Sequence, residues 1–364
     1  MFRSVQRGIA IGLLLSSFVC VAAAGSSAIL TPLIDRPGES AYCEAVAAAM
    51  NAATASIDLL LSSADVTGVP LWDSLIAAAD RGVAIRVLLD ASDWAPAITA
   101  GNRLVMSSLE AHGIDVRFDD PGVTTHAKMV IVDRTIVVLG SSNWNEYAFR
   151  EHEQTNVMID CPEVATTFTE YFDRLWRGEL PVDGVEIEFG RIESDGPMVV
   201  PLPDGPGTAL YASLLLELLP RARRSIHVVM YRLSVYPNYP GSLANELVDA
   251  LISAVGRGLE VRVLIDDCSY YADSADANLA SAIYLYQHGI EVRLDAPGAT
   301  THAKLIVIDG ETVVLGSTNW NYYSLEENVE VNVGLLAIPG VAEVFEAYFE
   351  TLWEGARSIA PAAP

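Results

Sequence analysis

The chain contains one block of sequence twice. His112–Asn145 and His288–Asn321 align without a gap at a constant shift of 176, with 22 of 34 positions identical. Leu33–Tyr42 matches Leu202–Tyr211 at a shift of 169, and Tyr171–Gly178 matches Tyr348–Gly355 at 177. A repeat this long is a copied structural unit, so whatever one copy folds into, the other must too. The copies run over residues 28–178 and 197–357, each the size of an ordinary domain. The change in shift places an insertion of about seven residues between Tyr231 and Gly256, with Tyr236–Gly241 as its natural seat. Residues 179–196, rich in Gly, Pro and acids, read as a linker with one strand at Val185–Phe189.

Each copy alternates helix-like and strand-like runs. In the first, Ala41–Ala53, Pro70–Arg81, Asn102–His112 and Glu163–Trp176 read as helices. Ser56–Leu61, Ala84–Leu89, Val116–Phe118, Lys128–Val132, Ile136–Leu139 and Thr155–Ile159 read as strands. Alternation of this kind predicts an α/β layered domain. Runs such as Met129–Val132 and Val263–Ile265 are apolar and rich in β-branched residues, as strands covered on both faces should be.

Of 22 basic residues only two are lysines, and both stand in the phrase Thr-His-Ala-Lys, at Lys128 and Lys304. A compact ammonium with three donors suits phosphate oxygens and is not interchangeable with a guanidinium. The phrase opens a strand, where positions i and i+2 share a face, so His126 lies beside Lys128 and His302 beside Lys304. Gly140 and Gly316 end the next strand, and Ser141, Asn143, Ser317 and Asn319 follow as candidate phosphate donors.

The pattern H-x-K-x4-D-x6-G-S-x-N is thus complete twice, as His126, Lys128, Asp133, Gly140, Ser141, Asn143 and as His302, Lys304, Asp309, Gly316, Ser317, Asn319. It resembles the phospholipase D superfamily, and the resemblance covers both copies. It implies two α/β/α sandwich lobes related by a pseudo-twofold axis, with both motifs meeting in one cleft. It also implies phosphodiester cleavage through a phosphohistidine, with no metal and no cofactor. The chemistry of the residues agrees. Two ammoniums neutralise the charge that makes a phosphodiester hard to attack. One neutral imidazole can attack phosphorus, and a protonated one can serve the leaving oxygen.

Members of that superfamily often place a carboxylate on the catalytic imidazole. Small bacterial endonucleases of the superfamily carry it in N-x-E, present here as Asn328-Val329-Glu330; the first copy has His152-Glu153-Gln154 instead. A carboxylate favours imidazolium far more than an amide does. The expectation is therefore that Glu330 backs His302 as acid/base and Gln154 backs His126 as nucleophile, with Glu153 an alternative support for His126. Asp133 and Asp309 belong to the motif and stand among the candidate catalytic residues with His126, Lys128, His302, Lys304 and Glu330, although their expected part is to organise the turn and sheet. Trp144 and Trp320 are either cleft-rim contacts or buried packing.

Residues 1–24 read as a cleavable secretory signal: Arg3 and Arg7, an apolar run from Ile9 to Val21, then Ala22–Ala24. The expected location is secreted or periplasmic, where disulfides are permitted. Cys43 and Cys161 lie in the first copy only and form a candidate bridge, with two buried thiols as the alternative. The net charge of −25, or −27 without Arg3 and Arg7, repels nucleic-acid backbones. A phospholipid, met at a membrane surface, is thus the expected partner of a functional monomer, and the reading is a phosphodiesterase that hydrolyses lipid headgroup esters. Trp94, Tyr231, Tyr236, Tyr239, Tyr270 and Tyr271 would suit a water–lipid boundary. The alternatives are an exported metal-independent nuclease, a transphosphatidylase resembling cardiolipin synthase or hydrolase, and a silent binding module.

Overall fold

A computed structural model describes residues 18–21, 27–180 and 196–359. The signal-like segment is outside the described residues except for Phe18–Val21, as is the expected strand at Val185–Phe189.

The first lobe holds strands β1 (Phe18–Val21), β2 (Ser27–Asp35), β3 (Ser56–Leu61), β4 (Ala84–Leu89), β5 (Asp115–Phe118), β6 (Lys128–Val132), β7 (Ile136–Gly140) and β8 (His152–Asp160). They form one sheet in the order β1-β2-β8-β7-β6-β3-β4-β5. The second lobe holds β9 (Met198–Asp204), β10 (Ser225–Met230), β11 (Glu260–Ile265), β12 (Glu291–Leu294), β13 (Thr300–Thr301), β14 (Lys304–Ile308), β15 (Thr312–Gly316), β16 (Glu330–Leu336) and β17 (Arg357–Ser358). Its sheet runs β17-β12-β11-β10-β14-β15-β16-β9. Seven strands correspond in the same order, β2-β8-β7-β6-β3-β4-β5 and β9-β16-β15-β14-β10-β11-β12, so the duplicated sequence has produced the same topology twice, with β1 and β17 added at opposite edges. The β3-β4-β5 and β10-β11-β12 pairings are parallel and the β6-β7-β8 and β14-β15-β16 pairings antiparallel, so both sheets are mixed.

Period-two alternation divides the core. Met129 and Ile131 of β6 face a central cluster, whereas Val130 and Val132 face an outer one under the helices Ala41–Ala52 and Leu71–Asp80. The central cluster is built from both lobes, with Phe168 and Phe172 of the helix Pro162–Trp176 and Phe345 and Phe349 of the helix Pro339–Gly355. The lobes therefore share one dry core, and their relative placement follows from burying it.

The same alternation disposes of the expected disulfide. Cys43 sits in the outer cluster and Cys161 in the central one, on opposite faces of the sheet. Both are buried and no bridge joins them, since a disulfide would have to pass through the sheet.

Candidate active site

Two short backbone pairings cross the lobe boundary and decide the site. Thr125 bridges Val329 in parallel, with His126 N donating to Val329 O at 2.9 Å and Val329 N to Thr124 O at 2.8 Å. In the reciprocal pairing β13 lies parallel to the start of β8, and His302 N donates to Glu153 O at 2.9 Å. Each histidine is thus seated on the opposite lobe's strand.

The supports are consequently exchanged relative to the sequence expectation. The Nδ1–H of His126 donates to Glu330, 3.0 Å from both carboxylate oxygens. The Nδ1–H of His302 donates to Ser141 O at 3.0 Å and to Gln154 Oε1 at 3.2 Å. Pairing within a repeat fails for a simple reason. β15 lies between β14 and β16, so Glu330 is two strands, roughly 10 Å, from the strand that carries His302.

The serines are not exposed phosphate donors, which corrects that expectation. Ser141 and Ser317 are fully buried. Ser141 Oγ donates to Gln154 Oε1 at 2.7 Å, and Ser317 Oγ donates to Glu330. They fix the side chains that fix the imidazoles. The preceding glycines make this reach available: a Cβ on Gly140 would lie 2.4 Å from Thr155 O, and one on Gly316 would lie 2.4 Å from Val331 O. Asn143 and Asn319, which follow the same turns, each hold a buried Oδ1 with no hydrogen-bond partner, a demand a ligand can meet. Trp144 and Trp320 are fully buried and donate to Tyr42 Oη at 3.0 Å and Tyr211 Oη at 2.9 Å, so they anchor the turn and form no rim.

Asp133 and Asp309 stand at the far end of the motif strands, about 16 Å from the lysines at the usual rise per residue. Both adopt positive φ, 49° and 57°. Their carboxylates accept backbone N–H groups of Thr54, Ala55 and Ser56, or of Arg223, Arg224 and Ser225. They tie a loop to the sheet, and the geometry gives them no direct part in catalysis.

Lys128 and Lys304 are each only 1 % exposed and donate to the carbonyls of His126 and His302. Burial lowers Lys128 to about 7 against the pull of Glu330 and Asp90, and lowers Lys304 further, with Lys128 adding repulsion. His126 and His302 both lie below the usual imidazole value, chiefly through burial, but Glu330 pulls His126 back up. His302 is depressed strongly, with Lys304, His152, Lys128 and His126 all contributing. The two imidazoles and two lysine amines therefore lie within one another's fields, at the boundary between the lobes.

The sequence reading missed a second tier. Asp90 Oδ1 accepts Thr125 N at 2.7 Å and Asp266 Oδ2 accepts Thr301 N at 2.6 Å, pinning the residue before each histidine. Burial pushes Asp119 up to about 7 beside Asp90 and raises Asp295 beside Asp266. All four recur at the 176-residue shift, so the duplication carried a signal for them. Tyr231, expected at a lipid boundary, instead packs its ring 4.7 Å from His302 and 4.8 Å from Lys304 Nζ. His152 lies 5.8 Å from His302, ring to ring, and burial lowers it to about 4.

Two lobes of mixed sheet joined at paired H-x-K strands define a phospholipase D-type protein. The model of the family described as cardiolipin synthase, PLD-like domain, matches residues 46–176 and 215–353, and the chain belongs to that family of the phospholipase D superfamily. Among curated proteins, it is 26% identical to a Bacillus subtilis protein named as a probable cardiolipin synthase, over 329 residues, 84% of this chain and 62% of that protein. It is 33% identical to human mitochondrial cardiolipin hydrolase over 140 residues, 38% of this chain and 52% of the relative. The chain thus spans about half to three fifths of the length of these relatives. The solved structure of Haemophilus influenzae phosphatidylserine synthase superposes with a TM-score of 0.68 over 95% of this chain and 90% of its own, at 12% identity, a likeness of fold. Family membership is thus shared with relatives named for cardiolipin synthesis and for cardiolipin hydrolysis, and it does not decide between a hydrolase and a transferase.

Proposed function

We propose that the protein transfers a phosphatidyl group from one phospholipid to the hydroxyl of another, as a cardiolipin synthase-like transphosphatidylase working through a phosphohistidine. The observation that carries this reading is the cross-lobe quartet of His126, Lys128, His302 and Lys304, in a chain whose family model is described by cardiolipin synthase. The ammoniums hold the non-bridging oxygens and grow more effective as charge develops there. One imidazole takes the phosphatidyl group and the other moves the proton. The lysines and both supporting side chains are buried, which restricts bulk water and favours a bound alcohol as acceptor. The exposed rings of Trp94, Tyr239, Tyr270, Tyr271 and Tyr323 stand on loops or a short helix that follow strand ends near the motifs, positions suited to a bilayer surface.

The test is incubation of the purified protein with phosphatidylglycerol vesicles in the presence of a chelator. The expected products are cardiolipin and glycerol. Phosphatidic acid alone would make the protein a hydrolase, and cleavage of single-stranded DNA without lipid turnover would favour the nuclease alternative. Export through the segment at residues 1–24 remains part of the proposal, checked by the N-terminal sequence of the protein recovered from intact cells.

A further inference from the structure

The two copies carry the same helix with the same inner face and a different outer one. In the first copy Asn102, on the helix Pro96–Glu110, donates to Ser62 O at 2.8 Å and to Asp90 O at 2.9 Å. In the second, Asn278, on the helix Ala272–Gln287, donates to Tyr231 O and to Asp266 O, each at 2.8 Å. Either helix is thus tied to the strand ends that frame the site, and the Tyr231 ring carries that contact on to His302 and Lys304. On the solvent side the copies part. Arg103, Ser107 and Glu110 are exposed on the first helix, and at the same 176-residue shift the second exposes Leu279, Ile283 and Tyr286, each 43 % open to solvent. Spacings of four and three put these three on one face. Leu104 is the one large apolar side chain that the first helix exposes.

The surroundings of the second face share its character. Tyr270 and Tyr271, both exposed, lead into the helix. The insertion at Tyr236–Gly241, present in this copy alone, lies against it. There Val235 N donates to Ser281 Oγ at 3.1 Å, Pro237 and Pro240 line a small pocket with Tyr284, and Tyr239 stands exposed. The stretches 234–245 and 277–287 contain no Asp, Glu, Lys or Arg, in a chain of net charge −25. The only acids of the helix, Asp273 and Asp276, stand near its N-terminal end. Trp94 occupies the place of Tyr270, so the copies are alike at the edge of the site and diverge along the helix.

We propose that the outer face of the helix Ala272–Gln287, with the insertion beside it, is the surface that lies on a phospholipid bilayer. The second lobe docks along this helix, and the first meets lipid only at the edge of the site. The proposal rests on the lipid substrate of the function proposed above and goes beyond it in naming the docking face. Charge selects the occupant. A bilayer containing phosphatidylglycerol is anionic and repels a protein with this excess of carboxylates, so contact falls where the surface carries none. Leucine and isoleucine flanked by tyrosines match the boundary between headgroups and acyl chains, with phenol oxygens among the headgroups and the apolar groups below. Through Asn278 the same helix holds the strand ends at the site, so one element joins the lipid surface to the reacting residues.

Vesicle flotation and a fluorescent reporter test this apart from catalysis. Wild type should float with phosphatidylcholine vesicles containing phosphatidylglycerol and stay bound at high salt, because the contact is apolar. Leu279→Gln, Ile283→Ser and Tyr286→Gln together should weaken partitioning at least about tenfold, the scale of the apolar area lost, with cleavage of soluble bis(p-nitrophenyl) phosphate unchanged. Cys43, Cys161 and Cys268 are buried, so in a Cys20→Ser background a new surface thiol takes the label. An environment-sensitive fluorophore on Ile283→Cys should shift to the blue when vesicles are added, and one on Ser107→Cys should not. This labelled pair decides the matter if the triple variant does not fold. No flotation of wild type, release by salt, equal binding by the triple variant, or a shift at both labelled positions or at 107 alone would overturn the docking face. A dimer in solution that the triple variant dissolves, without vesicle binding, would give the face to a second copy of the chain. Docking as expected with no phosphatidyl transfer would leave the surface standing and overturn the transferase reading.

Discussion

Glu330 and His126 belong to different copies of the repeat, 204 positions apart, yet their side chains meet at 3.0 Å across the lobe boundary. The contact means that neither half of the chain holds a complete site. Replacing Glu330 by Gln leaves the shape but removes the charge that favours imidazolium. We expect turnover to fall about 10²–10⁴-fold, the usual range for a positioned acid/base, measured as kcat on phosphatidylglycerol. A loss of less than threefold would contradict the role.

The lysines should not tolerate arginine. Both are enclosed and hold a carbonyl at short range, where a planar guanidinium has a different shape and donor set. Lys128→Arg and Lys304→Arg should each lower kcat/KM about 10²–10³-fold, the order seen when one preorganised charge-stabilising donor is lost. Wild-type kcat/KM in either variant would show that only charge matters.

Activity should fall on the alkaline side earlier for free protein than for the bound complex. Burial lowers Lys128 to about 7 and Lys304 well below its ordinary value, so in the free protein both positive charges are lost at lower pH than an exposed lysine would lose them. A bound phosphodiester supplies a negative neighbour that raises them again. The kcat/KM profile should therefore descend at lower pH than the kcat profile. Coincident limbs in the two profiles would argue against the lysines as the groups responsible.

Asp133 offers the contrast. Its carboxylate collects three backbone N–H groups outside the cleft, and that binding holds it below the usual carboxylate value. A depressed carboxylate contributes stability above its unfolded value of 3.8, and that stability is lost as pH falls through the lower folded value. Asp133→Ala should cost about 0.5–1.5 kcal/mol, the net worth of hydrogen bonds whose donors stay open to water, and lower Tm, with kcat of the folded protein close to wild type. A large fall in kcat at unchanged Tm would restore Asp133 to the catalytic set.

Much of this was legible because the duplication displays its own constraints. The strand order of both sheets follows from one pattern used twice, and the H-x-K strands, the glycines and Asp90 with Asp266 all recur at one shift. What the sequence did not show was which copy supports which histidine. Sequence proximity favours Glu330 with His302, but sheet order places β15 between their strands and the cross-lobe pairing at Thr125 and Val329 carries the carboxylate to His126. The serines looked like ligands because they follow a turn; their depth became visible only when Gly140 and Gly316 were seen against the neighbouring backbone. The Cys43–Cys161 pairing assumed proximity from co-occurrence, and the sheet separates them.

The exchanged supports can be read directly by nuclear magnetic resonance titration of the ¹⁵N-labelled histidines in wild type and in Glu330→Gln. The account predicts that His126 titrates above His302 in wild type and that Glu330→Gln lowers the His126 midpoint while leaving that of His302 nearly fixed. Movement of the His302 midpoint with His126 unchanged would contradict it.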